Sequence, residues 1–186
     1  GNNCAIGNAY PTFEETRKYL APGLFGPCGY GLPSVVGAKI GRPDVPVVGF
    51  SGDGAFGIAV NELTAIGREE WPAVTQIVFR NYQWGAEKRN STLWYDDNFV
   101  GTELDTQVSY AGIAKACGLQ GVVAKTMDEL TEALHTAIKD QMENGKTTLI
   151  EAMINQELGE PFRRDAMKKP VAVAGVSASD MREQVV

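Results

Sequence analysis

Ser51-Gly52-Asp53-Gly54-Ala55-Phe56 is the stretch around which this sequence is organised, and Asn81-Tyr82-Gln83-Trp84-Gly85 is its counterpart further along the chain. Each follows an apolar run, 45–50 or 74–79, of the kind that forms a buried parallel strand. The interval between the two stretches suits one turn, one crossover helix over 60–68 and one strand. Both polar stretches are therefore expected at the carboxyl ends of parallel strands, where open α/β sheets bind ligands.

The rest of the hydrophobic pattern predicts an α/β fold with an open, mainly parallel sheet and helices on both faces. Residues 1–10 favour a loop that enters a helix, and 82–98 shows no clear period. We expect one domain over 1–155 and a carboxy-terminal tail over 156–186. The remaining predicted elements are helices at 30–40 and 108–117, a helix capped by Asp128 and ended by Gly145, and strands at 19–21, 119–124 and 147–154.

The composition is typical of a globular protein, since 44% of the 186 residues are hydrophobic and 22% are charged. The net charge of −6 argues against nonspecific binding to nucleic acid and against attraction to anionic membranes. No apolar run of the sequence reaches transmembrane length. The three cysteines form no Cys-x-x-Cys pair, and a single histidine is too few for a usual zinc site. We therefore expect reduced thiols, a cytoplasmic location, and neither a nucleic-acid nor a membrane partner.

The two polar stretches carry complementary chemistry. Asp53 offers an anionic oxygen, Asn81 an amide oxygen, and the turn that follows Asn81 a backbone carbonyl. Such an all-oxygen set suits Mg²⁺ or Ca²⁺, and Mg²⁺ usually completes its octahedron with phosphates and water. Gly52 and Gly54 let the backbone approach an anion closely. These residues predict a magnesium diphosphate site, whereas Gly-Asp-Gly by itself is more often a tight turn beside a surface asparagine.

Gly52-Asp53-Gly54, the interval after it and Asn81 resemble the thiamine diphosphate signature of the acetolactate synthase superfamily. The resemblance implies that Asp53 and Asn81 bind Mg²⁺ through their side chains and that Gln83 binds it through its backbone carbonyl. The usual Asn-Asn pair of the superfamily is Arg80-Asn81 in this sequence. A second motif, Gly-Leu-Phe-Gly-Pro-Cys-Gly-Tyr-Gly-Leu-Pro at 23–33, resembles the segment that grips the aminopyrimidine ring of the cofactor.

The same resemblance implies the full set of cofactor contacts. Asn2 and Asn3 would meet the diphosphate, although asparagine at a helix start is often only a cap. Cys28 would meet the pyrimidine ring, although a small buried cysteine is equally common. Trp84 would line the site, although such aromatic residues often serve local packing. The implied cofactor-binding residues are Asn2, Asn3, Gly26, Cys28, Gly52, Asp53, Gly54, Ala55, Asn81, Gln83, Trp84 and Gly85.

Within the superfamily, 81–90 and 157–170 resemble the sulfoacetaldehyde acetyltransferases, and nearly the whole chain resembles their carboxy-terminal third. The implied reaction converts sulfoacetaldehyde and phosphate into acetyl phosphate and sulfite. Arg163, Arg164 and Lys168 are candidates to bind the anionic substrates, because guanidinium and ammonium groups suit sulfonate and phosphate oxygens. A solvated basic tail is the alternative interpretation.

The resemblance also implies what this chain needs in order to act. The catalytic acid, a glutamate, is expected on a pyrimidine-binding domain of a partner subunit, so we expect a homo-oligomer and an inactive isolated chain. Two alternatives remain open: a domain of an acetolactate synthase-like 2-oxoacid enzyme, and a non-catalytic cofactor-binding module. A nicotinamide-binding Rossmann protein is disfavoured because no Gly-x-Gly-x-x-Gly opens a helix after a first strand.

Overall fold

The computed structural model describes residues 2–15, 18–23 and 25–157 of the chain. In this part of the chain, four parallel strands form one open sheet in the order β1-β2-β4-β3. The predicted parallel α/β architecture is confirmed. The strands are β1 at Val48–Gly52, β2 at Thr75–Arg80, β3 at Gln120–Ala124 and β4 at Thr148–Met153.

Helices cover both faces of this sheet, as predicted, and one short 3₁₀ turn, Val60–Glu62, interrupts the crossover from β1 to β2. None of the helices in the described ranges has the length and apolar character needed to cross a lipid bilayer. The helices are α1 at Asn2–Ala9, α2 at Gly31–Gly41, α3 at Asp53–Ile58, α4 at Leu63–Ile66, α5 at Gly85–Trp94, α6 at Tyr110–Ala116 and α7 at Met127–Glu143.

Two hydrophobic cores, one on each face, hold the layers together. Because successive strand residues point to opposite faces, Val78 packs with Leu32 and Phe56 of α2 and α3, while Ile77 packs with Ala137 of α7. Leu32 and Phe56 are only 2% and 1% exposed. Full burial of a side chain of that size stabilises the fold by about 1.5–3 kcal/mol. The sheet is therefore a rigid base for whatever lies at its carboxyl edge.

The carboxyl edge of the sheet brings the two polar stretches together. In the parallel register Gly52 is aligned with Phe79, so the residues that follow them, Asp53 and Arg80, are neighbours. The crossover helix starts at Asp53, well before the predicted start at residue 60, and it is broken into α3, the 3₁₀ turn and α4. A carboxylate in the first helical turn is favoured by the helix dipole, which explains why the helix can begin directly after the strand.

Other local predictions differ from the structure in informative ways. Helix α1 replaces most of the loop predicted at 1–10, and α5 occupies the region without a clear period. Helix α5 has no fully buried residue, so it lacks the apolar stripe that would have revealed it. The strand predicted at 19–21 is wrong, because the backbone there is irregular and the Tyr19 ring stacks on Phe13 and Phe50.

Helix α7 begins two residues earlier than predicted. Its N-cap is Thr126 rather than Asp128, and the Thr126 hydroxyl accepts a hydrogen bond from the Glu129 N–H at 3.2 Å. The Glu129 carboxylate accepts one from the Lys125 N–H at 2.6 Å. A threonine three residues before a glutamate is the sequence pattern of a capping box. That pattern is present at 126–129 in the sequence, and it predicts Thr126 as the N-cap in preference to the aspartate two residues further on.

We predict that Thr126→Ala lowers the free energy of unfolding by about 1 kcal/mol, because an N–H at the start of α7 loses its acceptor. Asp128→Ala is expected to have a smaller effect, since Asp128 acts only through the helix dipole. Urea denaturation of both variants measures the difference. An equal or larger loss of unfolding free energy in Asp128→Ala would contradict the assignment of Thr126 as the cap.

Candidate functional site

A cleft with a volume of about 530 Å³ opens at the carboxyl ends of β1 and β2. It collects the predicted cofactor-binding residues from α1, from the segment before α2, from the start of α3 and from the start of α5. The predicted residues that line it are Asn2, Asn3, Cys28, Gly52, Asp53, Gly54, Ala55, Asn81, Gln83, Trp84 and Gly85. Gly26 does not line it; the predicted pyrimidine-gripping segment contributes Pro27 and Cys28 instead.

Glycines at the floor of this cleft let neighbouring side chains approach the backbone closely. A β-carbon on Gly54 would lie 2.8 Å from the Trp84 ring, and one on Gly52 would lie 2.7 Å from the Asn3 side-chain nitrogen. Real β-carbons essentially never come so close to another heavy atom, so a side chain at either position would force a neighbour to move. The absence of a side chain at Gly52 and Gly54 therefore lets Asn3 and Trp84 lie directly against the backbone on either side of Asp53.

Amide side chains converge on the start of α5. A β-carbon on Gly85 would lie 3.6 Å from the side-chain nitrogen of Asn2, 3.8 Å from that of Gln83 and 3.9 Å from that of Asn81. Residues far apart in the sequence thus present polar side chains around one point of the cleft. The amide groups can donate to phosphate oxygens or, through their oxygens, bind a cation.

Asp53 joins the two polar stretches directly. Its side chain is 2% exposed, and its Oδ2 accepts hydrogen bonds from the N–H groups of Asn81 at 3.1 Å and Tyr82 at 2.6 Å. Oδ1 accepts one from the Gly54 N–H at 2.9 Å. Oδ2 is thereby committed to the Asn81 turn, and Oδ1 is the less occupied oxygen.

Arg80 is the largest fully buried side chain of the described residues, and it lies against Asp53. Its Nη1 donates to Asp53 Oδ2 at 3.2 Å, and its Nε is 3.5 Å from Glu151 Oε1. Its Nη2 donates to the backbone carbonyls of Asp105 at 2.6 Å and Val108 at 3.0 Å. The two carboxylates and one guanidinium leave this buried cluster with a formal charge of −1.

The sequence interpretation treated Arg80 only as a departure from the superfamily pattern and did not single out Glu151. Arg80 is the last residue of β2 and Glu151 lies inside β4, and their side chains are only 1% and 4% exposed. A buried charge is costly unless it is paired. Two opposite charges in apolar strand runs were therefore a usable signal that β2 and β4 lie side by side.

Two tyrosines complete the surroundings of Asp53 and Arg80. The Tyr110 hydroxyl donates to the Asp53 backbone carbonyl at 3.0 Å, and burial raises the pKa of this phenol, which keeps it protonated as a donor. The Arg80 guanidinium lies over the rings of Tyr82 and Tyr110, at 4.2 and 5.0 Å from their centroids. Tyr82 has a φ of 60°, a left-handed conformation that is uncommon outside glycine.

Gln83 links the site to the segment that follows β4. Its side-chain Nε2 donates to the Gln156 carbonyl at 2.9 Å, and the Gln156 side chain donates to the Asn81 carbonyl at 3.1 Å. The Gln83 side chain is buried, and its Oε1 has no hydrogen-bond partner among the described residues. Arg163, Arg164 and Lys168, the candidate substrate residues, lie outside the described part of the chain.

The residues present fit a divalent cation and a diphosphate. Oxygen donors from one carboxylate and neighbouring amides suit Mg²⁺, and the cluster charge of −1 favours a cation beside it. Within the described ranges, no three His, Cys, Asp or Glu residues form a cluster that could hold a metal ion. The cleft, with its volume of about 530 Å³, provides the space in which a diphosphate could lie.

Comparison with known proteins shows the family of the chain. The model of the family described as "Thiamine pyrophosphate enzyme, C-terminal TPP binding domain" matches residues 1–152. The chain belongs to this family. As a TPP-binding domain it has the parallel sheet described above, with the polar cleft at the strand ends.

Individual relatives refine the comparison. A sulfoacetaldehyde acetyltransferase from Roseovarius nubinhibens is 87% identical over the whole chain, which corresponds to 31% of that protein. An acetolactate synthase large subunit from Corynebacterium glutamicum is 30% identical over 91% of the chain and 26% of that protein. The structure of benzoylformate decarboxylase from Polynucleobacter necessarius superposes with a TM-score of 0.61 at 28% identity, covering 72% of this chain and 25% of that one. This TPP-binding domain thus spans about a third or less of its relatives' length.

Proposed function

We propose that this chain is the thiamine diphosphate- and Mg²⁺-binding domain of a sulfoacetaldehyde acetyltransferase, which forms acetyl phosphate and sulfite from sulfoacetaldehyde and phosphate. The observation that carries the cofactor site is the Asp53 carboxylate, which accepts the N–H groups of Asn81 and Tyr82. Through these bonds the ends of β1 and β2 form one site rather than two surface turns.

In the proposed site, Mg²⁺ is held by Asp53 Oδ1, the Asn81 side-chain oxygen and the Gln83 backbone carbonyl. Asp53 Oδ1 supports this assignment because its only hydrogen bond in the described structure comes from the adjacent Gly54 N–H. The remaining positions of the octahedron would be filled by diphosphate oxygens and water. The proposed metal thus joins the polar end of the cofactor to the carboxyl edge of the sheet.

The proposed diphosphate contacts are the side-chain amides of Asn2 and Asn3 and the backbone at Gly52 and Gly54. Ala55, Trp84 and Gly85 would border the same end of the cofactor, and Gly26 with Cys28 would meet its pyrimidine ring. When bound, thiamine diphosphate supplies a thiazolium ring that stabilises carbanion chemistry at a substrate carbonyl. The task of the chain's own residues is to bind and orient that ring.

The proposed substrate rests on the 87% identity to a sulfoacetaldehyde acetyltransferase, set against 30% to an acetolactate synthase subunit. A sulfite-release assay on the full-length protein that contains this chain tests it, with sulfoacetaldehyde and pyruvate compared. We expect sulfite and acetyl phosphate to form in equal amounts, only with phosphate and thiamine diphosphate present. Turnover of pyruvate alone would favour the acetolactate synthase-like alternative, and inactivity on both would favour a non-catalytic module.

The two substrates are anions, and the proposed residues that bind them are Arg163, Arg164 and Lys168. We predict that Arg163→Ala or Arg164→Ala raises the KM for sulfoacetaldehyde or phosphate by roughly tenfold, as loss of a charge-assisted hydrogen bond implies. Steady-state kinetics of the full-length protein measure it. Arg68→Ala, which removes an exposed arginine paired with Glu70, is the matched control. Unaltered KM values for both substrates in both variants would show that these arginines belong to a solvated basic segment and do not bind substrate.

The proposed partner is a pyrimidine-binding domain from a second copy of the full-length protein, so the proposed enzyme is a homo-oligomer. Its proposed location is the cytoplasm. Large apolar side chains that stand exposed support such a contact: Leu20 of the cleft is 59% exposed, and Phe25 is 91% exposed. Exposed apolar surface of this kind is typical of an interface. Analytical ultracentrifugation of the full-length protein would test the oligomer independently of activity.

A further inference from the structure

We infer that Arg80 is a positioning residue, which sets the relative geometry of the three proposed metal ligands without binding the metal itself. The inference rests on the proposed function, because it concerns the same Mg²⁺ site. Arg80 contacts or adjoins two of the residues that carry a proposed ligand and the residue that precedes the third. It donates to Asp53, it precedes Asn81 in the chain, and its guanidinium lies over the ring of Tyr82, the residue between Asn81 and Gln83.

The backbone at Tyr82 is where this control acts. With a φ of 60°, Tyr82 adopts a left-handed conformation that costs a non-glycine residue about 1–2 kcal/mol. Its N–H is held by Asp53 Oδ2, its carbonyl accepts from the Leu104 N–H at 2.8 Å, and its ring lies against Arg80. This turn sets the direction of the backbone between Asn81 and Gln83, and hence the relation of two proposed ligands to each other.

Arg80 can hold that turn because it is itself held from several sides. Glu151 of β4 lies against its Nε, and the Glu151 carboxylate also accepts from the Ser109 hydroxyl at 2.9 Å and the Ala111 N–H at 3.1 Å. The loop before α6 adds the carbonyls of Asp105 and Val108. The guanidinium therefore connects the turn at 81–83 to β4 of the sheet and to the start of α6, a helix that packs on the sheet.

Two explanations of Arg80 predict opposite changes in Mg²⁺ affinity when its side chain is removed. If Arg80 acted only as a charge, its removal would leave a more negative cluster and Mg²⁺ would bind more tightly. If Arg80 positions the ligands, its removal weakens Mg²⁺ binding despite the added negative charge. The weakening should be greater for Mg²⁺, which demands near-ideal octahedral geometry, than for Ca²⁺, which tolerates irregular ligand sets.

The experiment measures Mg²⁺ and Ca²⁺ affinity by calorimetry in the full-length protein saturated with thiamine diphosphate. We expect Arg80→Met to raise the Mg²⁺ Kd by about 10- to 100-fold, the usual effect of losing a residue that orients metal ligands, and the Ca²⁺ Kd by less. Arg80→Lys should give an intermediate result, because it keeps the charge but not the planar fork of donors. Arg68→Met, at an exposed pair, should leave both constants unchanged.

Arg80→Met alone leaves two other causes of weaker binding, misfolding and altered charge. A double variant, with its thermal unfolding measured, tests both. Arg80→Met with Glu151→Gln leaves Asp53 as the only charge, so the cluster keeps its formal charge of −1. If this variant shows a native thermal unfolding transition and still loses Mg²⁺ more than Ca²⁺, net charge and misfolding are both excluded as causes. Rescue of Mg²⁺ affinity in Arg80→Lys relative to Arg80→Met would support the positioning role further.

The outcomes separate this inference from the proposed function. If the folded variants bind Mg²⁺ as tightly as the wild type or more tightly, or lose Mg²⁺ and Ca²⁺ affinity equally, Arg80 does not position the ligands. If the wild-type protein itself shows no Mg²⁺ binding that depends on thiamine diphosphate, the proposed function fails, and the inference fails with it. In the first case Asp53→Ala still abolishes binding; in the second there is no binding to abolish.

Discussion

Replacing Asp53 with alanine is expected to abolish thiamine diphosphate-dependent binding of Mg²⁺. Asp53 supplies the only anion among the three proposed protein ligands, and a Mg²⁺ site without a carboxylate is weak. The same change leaves the N–H groups of Asn81 and Tyr82 without their acceptor, which loosens the turn that carries the other ligands. Asn81→Ala should weaken binding less, because water can replace a neutral amide oxygen. Calorimetric titration of the full-length protein with Mg²⁺ and thiamine diphosphate measures both.

Folding controls decide how the Asp53 result is interpreted. Asp53→Ala leaves the buried Arg80 with Glu151 as its remaining ionic partner, so its thermal unfolding must be measured beside its binding. Asp53→Asn retains the shape and one acceptor oxygen and should also bind Mg²⁺ poorly. Asp140→Ala, at an exposed aspartate of α7 that pairs with Asn144, is the matched control. Undiminished Mg²⁺ binding by folded Asp53→Ala would remove Asp53 from the metal site.

The second large effect concerns the chain by itself. We predict that the purified 186-residue chain releases no sulfite from sulfoacetaldehyde, whatever the concentration of cofactor. The proposed catalytic glutamate lies on another domain, and relatives of this chain are about three times as long, since it covers 31% of the R. nubinhibens protein. Without the opposing domain the pyrimidine ring would lie open to water, and the exposed Leu20 and Phe25 would have nothing to pack against.

A sulfite assay on the chain alone, beside the full-length protein at equal molar concentration, measures this prediction. Mixing the chain with a separately produced amino-terminal part of the full-length protein is the informative addition. Activity that returns on mixing would support the division of the site between domains. Turnover by the chain alone, free of full-length protein, would show that the active site is contained in these 186 residues.

The sheet and the meeting of the two polar stretches could be predicted because they depend on strong local signals. The run at 45–50 is apolar and the run at 74–79 is apolar apart from Thr75 and Gln76, and each is followed by a polar stretch, as expected of buried parallel strands that end at a ligand-binding edge. Exact limits were less predictable. Strand β1 begins at Val48 rather than residue 45. Just before it, the Val47 backbone bonds to the side chain of Gln141 on α7, and its carbonyl also accepts from the Thr75 N–H of β2.

What the sequence did not predict depends on contacts between distant residues. Helix α5 buries little, so no apolar stripe marks it, and its position follows from the turn at Tyr82 rather than from its own sequence. The partnership of Arg80 with Asp53 and Glu151 requires the order β1-β2-β4, which no local pattern determines. The end of α4 likewise depends on tertiary packing, because Gly67, which follows α4, lies directly against the Cys117 carbonyl.

The most direct test of the proposed site is a crystal structure of the full-length protein with Mg²⁺ and thiamine diphosphate bound. We expect the metal to contact Asp53 Oδ1, the Asn81 side-chain oxygen and the Gln83 backbone carbonyl at 2.0–2.1 Å, the distance typical of Mg²⁺. We also expect Asp53 Oδ2 to keep its bonds to the N–H groups of Asn81 and Tyr82. A metal bound elsewhere, or a diphosphate that lies away from Gly52 and Gly54, would contradict the site proposed for this chain.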